Sequence, residues 1–464
     1  MSAQANVPDR EPQRRLHEVP ALLAEASSDF GGLVRATPAV VARPRNAGDV
    51  QRVVSAARAR GLGVVARGQG HSTRGQASVA GGLVVDMRAI ERCEIAGSVA
   101  VVGAGLRWDE LLRQTLKRGL TPPVLTDYVG LSVGGTLAVG GVGGQSFRHG
   151  LQVDQLEGLR VVTGSGTIVD CSRTTEPELF DACRGGLGQC AIVVEAHVRL
   201  VRAPISVRVF KLFYDDLGRW LSDQKTLADD GRFDYILGSV IVRAHGGLSF
   251  CLETAKYQYW DESPRGDLFD GLGCDPADSE LRGAVFSYLA YATRLSALER
   301  QMKADRSWYA CHPWIDLFVP WTTASEVIAT SLADMDPRWL RNSHTLTYPV
   351  SRPHDAAPLT GLSPSEPHLL FGIGPTFDHS DVQGLAGFEA SSARLFERAQ
   401  ALGARCYPIG FPVGTEHADW PRHFGRSWER LAELKRHYDP FCVLRAGSVF
   451  ATGGHSDARG SGAS

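Results

Sequence analysis

The sequence predicts an α+β protein of two domains. Three observations support this prediction: strand and helix patterns alternate over residues 37–203, the composition shifts at Ala203-Pro204, and residues 205–400 mix strands with helices again. At 464 residues, the chain is long enough for two domains or for one large domain with an insertion.

Apolar spacing and stop signals predict the elements of the first part. Helices are expected over residues 16–36, over 46–61 with Asp49 as N-cap, over 108–118 with a stop at Gly119, and from Pro177. The predicted strands are residues 40–44, 64–67, 82–87 and 99–104, a hairpin over 159–171 around Gly164-Ser-Gly, and a strand that ends near Val201.

The second part has no internal repeat and no low-complexity stretch. Its predicted strands are residues 207–213, 235–242, 250–255 and 369–373, and its predicted helices are 217–228, 280–302, 325–334 and 385–402. A further helix is expected over 420–438. Residues 452–464 are rich in Gly and Ser and are expected to be disordered.

Composition and charge exclude several classes of function. The formal net charge of −2 lacks the basic excess of a nucleic-acid-binding protein. There is no apolar run of about 18 residues for a membrane span, and residues 1–15 lack the apolar segment of a signal peptide. We therefore expect a cytoplasmic protein with no membrane or nucleic-acid partner. The nine cysteines are scattered without Cys-x-x-Cys spacing, so we expect neither a metal site nor disulfides.

Two glycine-rich tracts are candidate ligand-binding segments. In the first, a β-branched strand ends at Arg67 and continues as Gly-Gln-Gly-His-Ser. Two glycines that flank one residue let the backbone bend sharply and bring its N–H groups close to an anion. His71 follows the turn, and its imidazole is nucleophilic when neutral. Taken alone, it can equally be a satisfied loop residue.

The second tract, residues 124–150, contains eight glycines in 27 residues and no charge repeat. This composition favours a compact turn-and-helix segment against a planar ligand over a solvated linker. Neither a Rossmann fingerprint nor a Walker motif is indicated. A second strand follows Gly164-Ser-Gly where a Rossmann fold needs a helix, and Gly-x-x-x-x-Gly-Lys is absent.

Together these tracts resemble the covalent-flavin oxidoreductases of the p-cresol methylhydroxylase / vanillyl-alcohol oxidase (PCMH/VAO) superfamily, and within it they look most like cytokinin dehydrogenases. The matching segments occur in the family's order from about residue 40 to residue 450. They are Arg67-Gly-Gln-Gly-His-Ser with Gln76, Thr126-Asp-Tyr, Val133-Gly-Gly-Thr-Leu, Gly144-Gln-Ser-Phe-Arg-His-Gly, Gly185-Gly-Leu-Gly-Gln, His312-Pro-Trp-Ile-Asp-Leu-Phe, Asp419-Trp-Pro-Arg-His-Phe-Gly and Tyr438-Asp-Pro.

The resemblance implies a two-domain FAD-binding α+β fold of the PCMH/VAO type with an inserted α+β substrate domain. The expected divisions are an N-terminal extension and helix (1–36), the FAD-binding domain (37–203), the substrate domain (204–405), a C-terminal return to the FAD domain (406–450) and a disordered tail (451–464).

The resemblance also implies FAD as the cofactor. His71 stands where family members attach a ring nitrogen to the flavin 8-methyl carbon, a link that raises the reduction potential and prevents loss of the flavin. Residues 124–145 contain no cysteine, so a single tether is expected. The implied FAD contacts are Gly68, Gln69, Gly70, His71, Ser72, Gln76, Asp127, Ser132, Ala138, Val142, Ile192 and Tyr407.

Asp127 matches the carboxylate that accepts a proton from the substrate nitrogen in cytokinin dehydrogenases while hydride passes to the flavin. A purely structural alternative is that Asp127 caps a turn. The sequence departs from the family in Phe233-Asp-Tyr-Ile-Leu-Gly, where Leu237 replaces a glutamate beside the substrate purine. Trp314 is expected to line the substrate pocket or, alternatively, to pack in the core.

Three functions follow from these residues. The first is an FAD-dependent oxidase or dehydrogenase that acts on a small, largely apolar amine or alcohol in secondary metabolism, with O₂ or another compound as electron acceptor. The second is a cytokinin dehydrogenase, and the replacement of the family's glutamate by Leu237 argues against this function. The third is a flavoprotein with a non-redox role such as ring closure.

Overall fold

The computed structural model describes residues 16–17, 20–244, 246–260, 268–274, 279–341, 343–353, 356–363, 366–409 and 419–450. The expectations for residues 1–15 and for the tail 451–464 fall outside these residues. Up to residue 203 the elements are β1 (Leu16–His17), α1 (Pro20–Ala26), β2 (Val40–Ala42), α2 (Ala47–Ala59), β3 (Val64–Arg67), β4 (Leu83–Asp86), β5 (Cys93–Ala96), β6 (Val99–Gly103), α3 (Trp108–Leu116), β7 (Leu120–Thr121), α4 (Val133–Leu137), α5 (Ser146–His149), β8 (Leu156–Thr163), β9 (Ile168–Ser172), α6 (Pro177–Cys183), β10 (Ala191–Arg199) and β11 (Val201–Arg202).

A parallel βαβ unit positions the first glycine-rich tract. Strands β2, β4 and β3 are parallel neighbours, and β1 lies antiparallel to β2 at the edge. Helix α2 connects β2 to β3. Its N-cap is Asn46, whose side chain accepts a hydrogen bond from the Asp49 N–H, so the N-cap predicted at Asp49 is wrong. Because β3 ends at Arg67, the tract leaves directly from the carboxyl end of a buried strand.

A second sheet of the first part is antiparallel, in the order β5-β6-β10-β8-β9. Strands β8 and β9 pair over Gly158–Val162 with Ile168–Ser172, which confirms the predicted hairpin. The second glycine-rich tract lies between β7 and β8 and contains the short helices α4 and α5. The first part therefore brings both tracts to the ends of its sheets.

The second part is built on one large sheet. Its elements, with those of the C-terminal return, are β12 (Ser206–Tyr214), α7 (Leu217–Asp230), β13 (Tyr235–Val242), β14 (Leu248–Gln258), β15 (Ala284–Ser287), α8 (Tyr288–Ala292), α9 (Leu295–Ala304), β16 (Ile315–Pro320), α10 (Ala324–Asp334), α11 (Pro337–Arg341), β17 (Ser343–Val350), β18 (His368–Pro375), α12 (Val382–Ala401), β19 (Arg405–Cys406), α13 (Asp419–Phe424) and α14 (Trp428–Tyr438). The sheet has eight strands in the order β15-β12-β14-β13-β17-β18-β16-β19.

The two faces of this sheet have different neighbours. On one face, Trp220 and Gln224 of α7 pack against Gly238 of β13. Side chains alternate along a strand, so Tyr235 and Leu237 point to the opposite face. There the second glycine-rich tract packs on the sheet, because Gly144 lies so close to the Tyr235 ring that a Cβ on Gly144 would overlap it. We call this second face the cofactor face.

Two helix predictions are wrong in part. The predicted helix 280–302 begins as strand β15, which pairs with β12 at the sheet edge and only then continues as α8 and α9. Pairing to a sheet edge overrides the helical spacing of these residues. The predicted helix 420–438 is divided into α13 and α14 by a 3₁₀ turn that begins at Gly425, which has a φ of 53°.

The last described segment returns to the first part of the chain. Leu444 forms a parallel bridge with Val64 at the start of β3. Lys435 of α14 is buried, forms a 2.7 Å ion pair with buried Asp439, and donates a hydrogen bond to the Gln189 carbonyl at 2.9 Å. These contacts join the C-terminal segment to the strand that leads into the first tract. The domain boundaries themselves remain a prediction.

Candidate active site

The loop after β3 is held by the N-terminal segment. The Phe30 N–H donates a hydrogen bond to the Gly70 carbonyl at 2.8 Å, and the Gly31 N–H donates one to the Ser72 carbonyl at 3.1 Å. Gly70 has a φ of 68°, and a Cβ there would overlap the Arg67 guanidinium. The loop therefore has a conformation and a close approach that both require glycine.

Asp29 adds side-chain contacts to the same loop. Its Oδ2 accepts hydrogen bonds from the Ser72 hydroxyl at 2.9 Å and from the Gly75 N–H at 2.6 Å. Burial raises the pKa of Asp29 to about 6, although these hydrogen bonds act to lower it. Sequence analysis missed Asp29, because a single aspartate between α1 and β2 matches no motif, and only the fold brings it to this loop.

His71 is enclosed by aromatic side chains. Its ring centroid lies 4.0 Å from that of Phe30, 5.1 Å from Tyr128, 5.5 Å from Trp308 and 5.9 Å from Trp314. Burial lowers the pKa of His71 to about 3, with smaller contributions from two other histidines and a lysine. The imidazole is thus neutral near pH 7, the form in which a ring nitrogen has a free lone pair for nucleophilic attack.

The second glycine-rich tract lies against the first and against the C-terminal return. A Cβ on Gly68 would overlap the Ser132 hydroxyl, so the two tracts touch at this point. The Gly141 N–H donates a hydrogen bond to the Tyr407 hydroxyl at 3.2 Å. Of the residues that were predicted as FAD contacts, Gly68 and Ser132 therefore touch where the tracts meet, and Tyr407 bonds to the second tract.

Asp127 is bonded to three donors. Its Oδ1 accepts a hydrogen bond from the Tyr235 hydroxyl at 2.6 Å and lies 3.0 Å from Nη2 of Arg294. Its Oδ2 accepts a hydrogen bond from the Tyr348 hydroxyl at 2.6 Å. Two strands of the large sheet and a residue next to α9 thus orient one carboxylate of the second tract. The turn-capping alternative finds no support in these bonds, which all lead to distant side chains.

A second carboxylate lies behind this group. Arg294 also donates a hydrogen bond to the Tyr235 hydroxyl at 2.7 Å, and its Nε lies 3.9 Å from Glu253. The Tyr291 hydroxyl donates a hydrogen bond to Glu253 at 3.1 Å, and burial raises the pKa of Glu253. Sequence analysis missed Arg294 and Glu253, because neither lies in one of the short segments on which the family resemblance was based.

A narrow cleft with a free volume of about 10 Å³, roughly the room for one water molecule, lies beside Asp127. It is lined mostly by polar and aromatic groups, namely Leu125, Thr126, Asp127, Gln145, Tyr235, Tyr257, Tyr288, Tyr291, Ala292 and Arg294. Hydroxyl groups and one guanidinium around a carboxylate provide hydrogen bonds to a small polar group. The cleft itself is therefore polar, although the sequence predicts a largely apolar substrate.

The cofactor face carries both predicted substrate-pocket residues. Leu237 lies on β13 two positions from Tyr235 and directly opposite Glu253 of β14. Trp314, immediately before β16, lies with its ring centroid 4.4 Å from that of His344 of β17. Leu237 is thus near the Asp127 group and Trp314 is near His71. Whether either side chain touches a substrate remains a prediction.

The other predicted cofactor residues are placed as follows. Gln76 accepts a hydrogen bond from the Arg74 N–H at 2.9 Å, and the Ala138 carbonyl accepts one from Leu187 at 2.9 Å. Val142 and Ile192 are buried, with Ile192 in the core behind the parallel sheet. Gln69 is half-buried beside Gly68. Their contacts with FAD remain predictions.

The residues present fit a large planar cofactor with polar edges. The two tracts approach each other at Gly68, where a side chain would not fit against Ser132. Around them, the buried polar atoms that have no hydrogen-bond partner among the described residues include Nη1 of Arg67, Nε1 of Trp314 and Oδ2 of Asp316. Unsatisfied buried groups are costly unless a ligand or water pairs with them. Within the same described ranges, no helix is long and apolar enough to span a membrane, and no His/Cys/Asp/Glu group could hold a metal ion.

Family models match both parts of the chain. Residues 38–172 match an FAD binding domain, and residues 243–450 match the model described as cytokinin dehydrogenase 1, FAD and cytokinin binding. Among solved structures, a crystal structure of 6-hydroxy-D-nicotine oxidase from Arthrobacter nicotinovorans superimposes with a TM-score of 0.72 at 22% identity, covering 93% of this chain and 96% of that one. The predicted two-domain FAD-binding fold is confirmed.

Curated relatives are similar over nearly the whole chain. An uncharacterized oxidoreductase, ORF5 in the fasciation locus of Rhodococcoides fascians, is 36% identical over 92% of this chain and 96% of its own length. Cytokinin dehydrogenase 5 from Oryza sativa subsp. japonica is 33% identical over 93% of this chain and 90% of its own length. Cytokinin dehydrogenase 1 from Arabidopsis thaliana is 30% identical over 91% of this chain and 80% of its own length.

Proposed function

This chain belongs to the cytokinin dehydrogenase family of FAD-dependent oxidoreductases, and from that premise we propose that it oxidises a small amine or alcohol with a largely apolar body. The observation that supports this proposal is the arrangement of Asp127. Its carboxylate lies in a cleft, bonded to Tyr235, Tyr348 and Arg294, on the sheet face against which the second glycine-rich tract packs.

FAD bound at the tracts supplies the hydride acceptor for this oxidation. Asp127 accepts the proton that the substrate N–H or O–H loses, which makes removal of hydride from the neighbouring carbon easier. Tyr235 and Tyr348 hold the two carboxylate oxygens in fixed directions. Arg294 balances the carboxylate charge while the substrate is bound.

We further propose that His71 forms the covalent link to the flavin. The loop that presents it is held on one side by Asp29 and Phe30, and the ring is neutral because burial lowers its pKa. A neutral imidazole can attack carbon, whereas a protonated imidazole cannot. O₂ or another acceptor would then reoxidise the flavin.

Leu237 favours a substrate with a hydrocarbon or aromatic surface at the end that lies against β13. It stands on the cofactor face near the Asp127 group, as the register with β14 requires. An aliphatic side chain at this position offers no hydrogen bond to a purine. The polar groups of the substrate would instead meet the tyrosines and Arg294 in the cleft.

A second candidate is cytokinin dehydrogenase activity. It is favoured by the match of residues 243–450 to a model for FAD and cytokinin binding, and by relatives with that name. Under this alternative, the substrate purine would be recognised by groups other than the residue at position 237, such as Glu253 and Arg294.

Rapid mixing of the purified holoenzyme with a substrate panel under anaerobic conditions tests the proposal. The panel contains apolar secondary amines, benzylic alcohols and cytokinins, and loss of the flavin's visible absorbance reports its reduction. Fast reduction by an apolar amine or alcohol and slow reduction by cytokinins is the expected result. Fast reduction by cytokinins alone would favour the second candidate, and no reduction by any amine or alcohol would overturn the first.

A further inference from the structure

Asp316 is a buried carboxyl group outside the Asp127 cleft. It lies on β16 with 6% of its surface exposed, and its Oδ2 is without a hydrogen-bond partner in the described part of the chain. Its Oδ1 leans over Gly372 of the neighbouring strand, where a Cβ would overlap it. Burial of a carboxyl group without a hydrogen-bond partner is costly, so a contribution to folding stability does not explain this position.

The position of Asp316 is on the cofactor face. Gly372 of β18 pairs with Asp316 on one side and with Leu346 of β17 on the other. Tyr348, two residues after Leu346 on β17, bonds to Asp127. His344, two residues before Leu346, contacts the ring of Trp314. Side chains two apart on a strand share a face. On the cofactor face, Asp316 therefore lies between Trp314, which is next to His71, and Asp127.

The C-terminal return borders the same carboxyl group. The Tyr407 N–H donates a hydrogen bond to the backbone carbonyl of Asp316 at 2.7 Å, and the Tyr407 hydroxyl meets Gly141 of the second glycine-rich tract. The titratable neighbours here are Tyr407 and Cys406, and burial raises the pKa of both, so both are neutral near pH 7. From β17 and β18 the neighbours are Leu346 and Gly372, which carry no charge.

We propose that Asp316 contacts the bound flavin and that its carboxyl group, in the protonated form, donates a hydrogen bond to a carbonyl oxygen or ring nitrogen of the isoalloxazine. Such a donor stabilises negative charge on the reduced ring and so raises the reduction potential of the cofactor. The inference rests on FAD lying against the cofactor face. It is independent of Asp127 as base and of the covalent link at His71.

The protonation state of Asp316 fits this role. With no charged partner, burial alone raises the pKa of Asp316 to about 7. Below that pH the group is an O–H donor, and above it the group is a carboxylate that repels charge on the reduced ring. Above about pH 7, the reduction potential of the holoenzyme should therefore fall more steeply with pH than the potential of a holoenzyme that lacks this carboxyl group.

The experiment measures the flavin midpoint potential and visible spectrum from pH 5.5 to 9 in the wild-type holoenzyme, Asp316→Asn and Asp316→Leu. Asp316→Asn retains an N–H donor of nearly the same shape but does not titrate. Asp316→Leu removes the donor. Asp223→Asn is the matched control, since Asp223 is equally buried but is bonded to Tyr214 and Gly273 in the α7 region.

At pH 6 we expect Asp316→Leu to shift the ratio of reduced to oxidised flavin about tenfold toward the oxidised form, which is about 30 mV for a two-electron couple. The midpoint potential of Asp316→Asn should stay near that of wild type at pH 6. Above pH 7 it should not show the additional fall that wild type shows. Asp223→Asn should match wild type throughout.

Wild-type potentials and spectra in both Asp316 variants, with unchanged pH dependence, would overturn the inference and leave Asp316 as a group that bonds to buried water. If Asp316→Leu does not fold, the pH dependence of Asp316→Asn decides alone. Substrate turnover is not needed for either measurement, so a wrong assignment of Asp127 does not affect the result.

Discussion

The Tyr348 hydroxyl donates a 2.6 Å hydrogen bond to Oδ2 of Asp127, so a strand of the large sheet orients the candidate base that the second glycine-rich tract supplies. Hydrogen bonds to charged groups are worth about 1.5–3 kcal/mol. The base is therefore positioned only when the two parts of the chain are assembled. This dependence leads to the first prediction.

Tyr348→Phe should lower the rate of flavin reduction by substrate about tenfold or more, because loss of about 1.5 kcal/mol of orientation corresponds to roughly one decade. Flavin content should remain at the wild-type level. Anaerobic rapid mixing with the best substrate of the panel provides the rate. Tyr214→Phe is the matched control, since Tyr214 makes a similar buried bond to Asp223 away from the cofactor face, and it should reduce as wild type does.

Asp127→Asn should have a larger effect. The amide is nearly isosteric but cannot accept the substrate proton, so the flavin reduction rate should fall by about 10²-fold or more, the usual scale for removal of a general base. The flavin spectrum and content should not change. An Asn variant that reduces at the wild-type rate would leave Asp127 with a positioning role only.

His71→Ala should abolish the covalent link. Acid precipitation of wild type should leave yellow, fluorescent flavin in the protein pellet, and a denaturing gel should show fluorescence at the protein band. The variant should release all its FAD under the same treatment while it binds FAD non-covalently in the native state. Free flavin in the supernatant of the wild type would refute the link.

The sequence predicted the parts of the site that lie in local motifs. His71, Gly68 and Gly70 stand in one short loop whose glycines are required by a positive φ at Gly70 and a close approach at Gly68. The structure brings Ser132 against Gly68 and Tyr407 against Gly141 of the second tract. Asp127 was recognised from the family segment that contains it. Such motifs can be recognised from the sequence because their residues are close along the chain and therefore also close in the fold.

The missed residues depend on long-range assembly. Arg294 and Glu253 reach Asp127 through a helix end and a neighbouring strand, and Asp29 reaches the His71 loop from the N-terminal segment. None of them lies near a recognisable motif, so only strand register and packing reveal them. The strand β15, predicted as helix, was missed for the same reason, since its pairing partner β12 lies about 80 residues earlier in the chain.

Because several histidines are buried, we expect the protein to lose stability in acid. Burial lowers the pKa of His368 from 6.5 to about 4, and His312 and His344 behave alike. The unfolded chain therefore binds more protons than the folded chain between pH 6.5 and 4, and the free energy of unfolding falls as the pH falls through this window. The raised pKa values of Asp29 and Asp316 act in the opposite direction there.

His368→Gln should reduce, by up to one proton, the difference in bound protons between the unfolded and the folded chain. The slope of the unfolding free energy against pH, measured by urea denaturation between pH 4.5 and 6, should decrease by up to about 1.4 kcal/mol per pH unit. His437→Gln, at an exposed histidine of α14, is the control and should leave the slope unchanged. Equal slopes in wild type and His368→Gln would contradict the burial argument.

The last prediction concerns Leu237, which sets the proposed function apart from cytokinin oxidation. Leu237 and Tyr235 share the cofactor face, and the register of β13 with β14 places Leu237 opposite Glu253. The pairing is continuous from Tyr235 to Val242, so no slip turns Leu237 to the other side of the sheet. An aliphatic side chain at this position cannot bond to a purine nitrogen.

Leu237→Glu should raise the turnover of isopentenyladenine, measured with a dye acceptor, since a charged hydrogen bond is worth about 1.5–3 kcal/mol, or roughly tenfold to 150-fold in transition-state binding. The new carboxylate would face Glu253, and like charges directly opposite each other destabilise a sheet. Leu237→Gln is therefore the matched variant, with a hydrogen-bonding amide and no charge. Both variants should lose activity toward apolar amines or alcohols. Efficient turnover of isopentenyladenine by the wild type, with no gain in either variant, would mean that the cleft around Arg294 recognises the purine, and cytokinin oxidation would then replace the function proposed here.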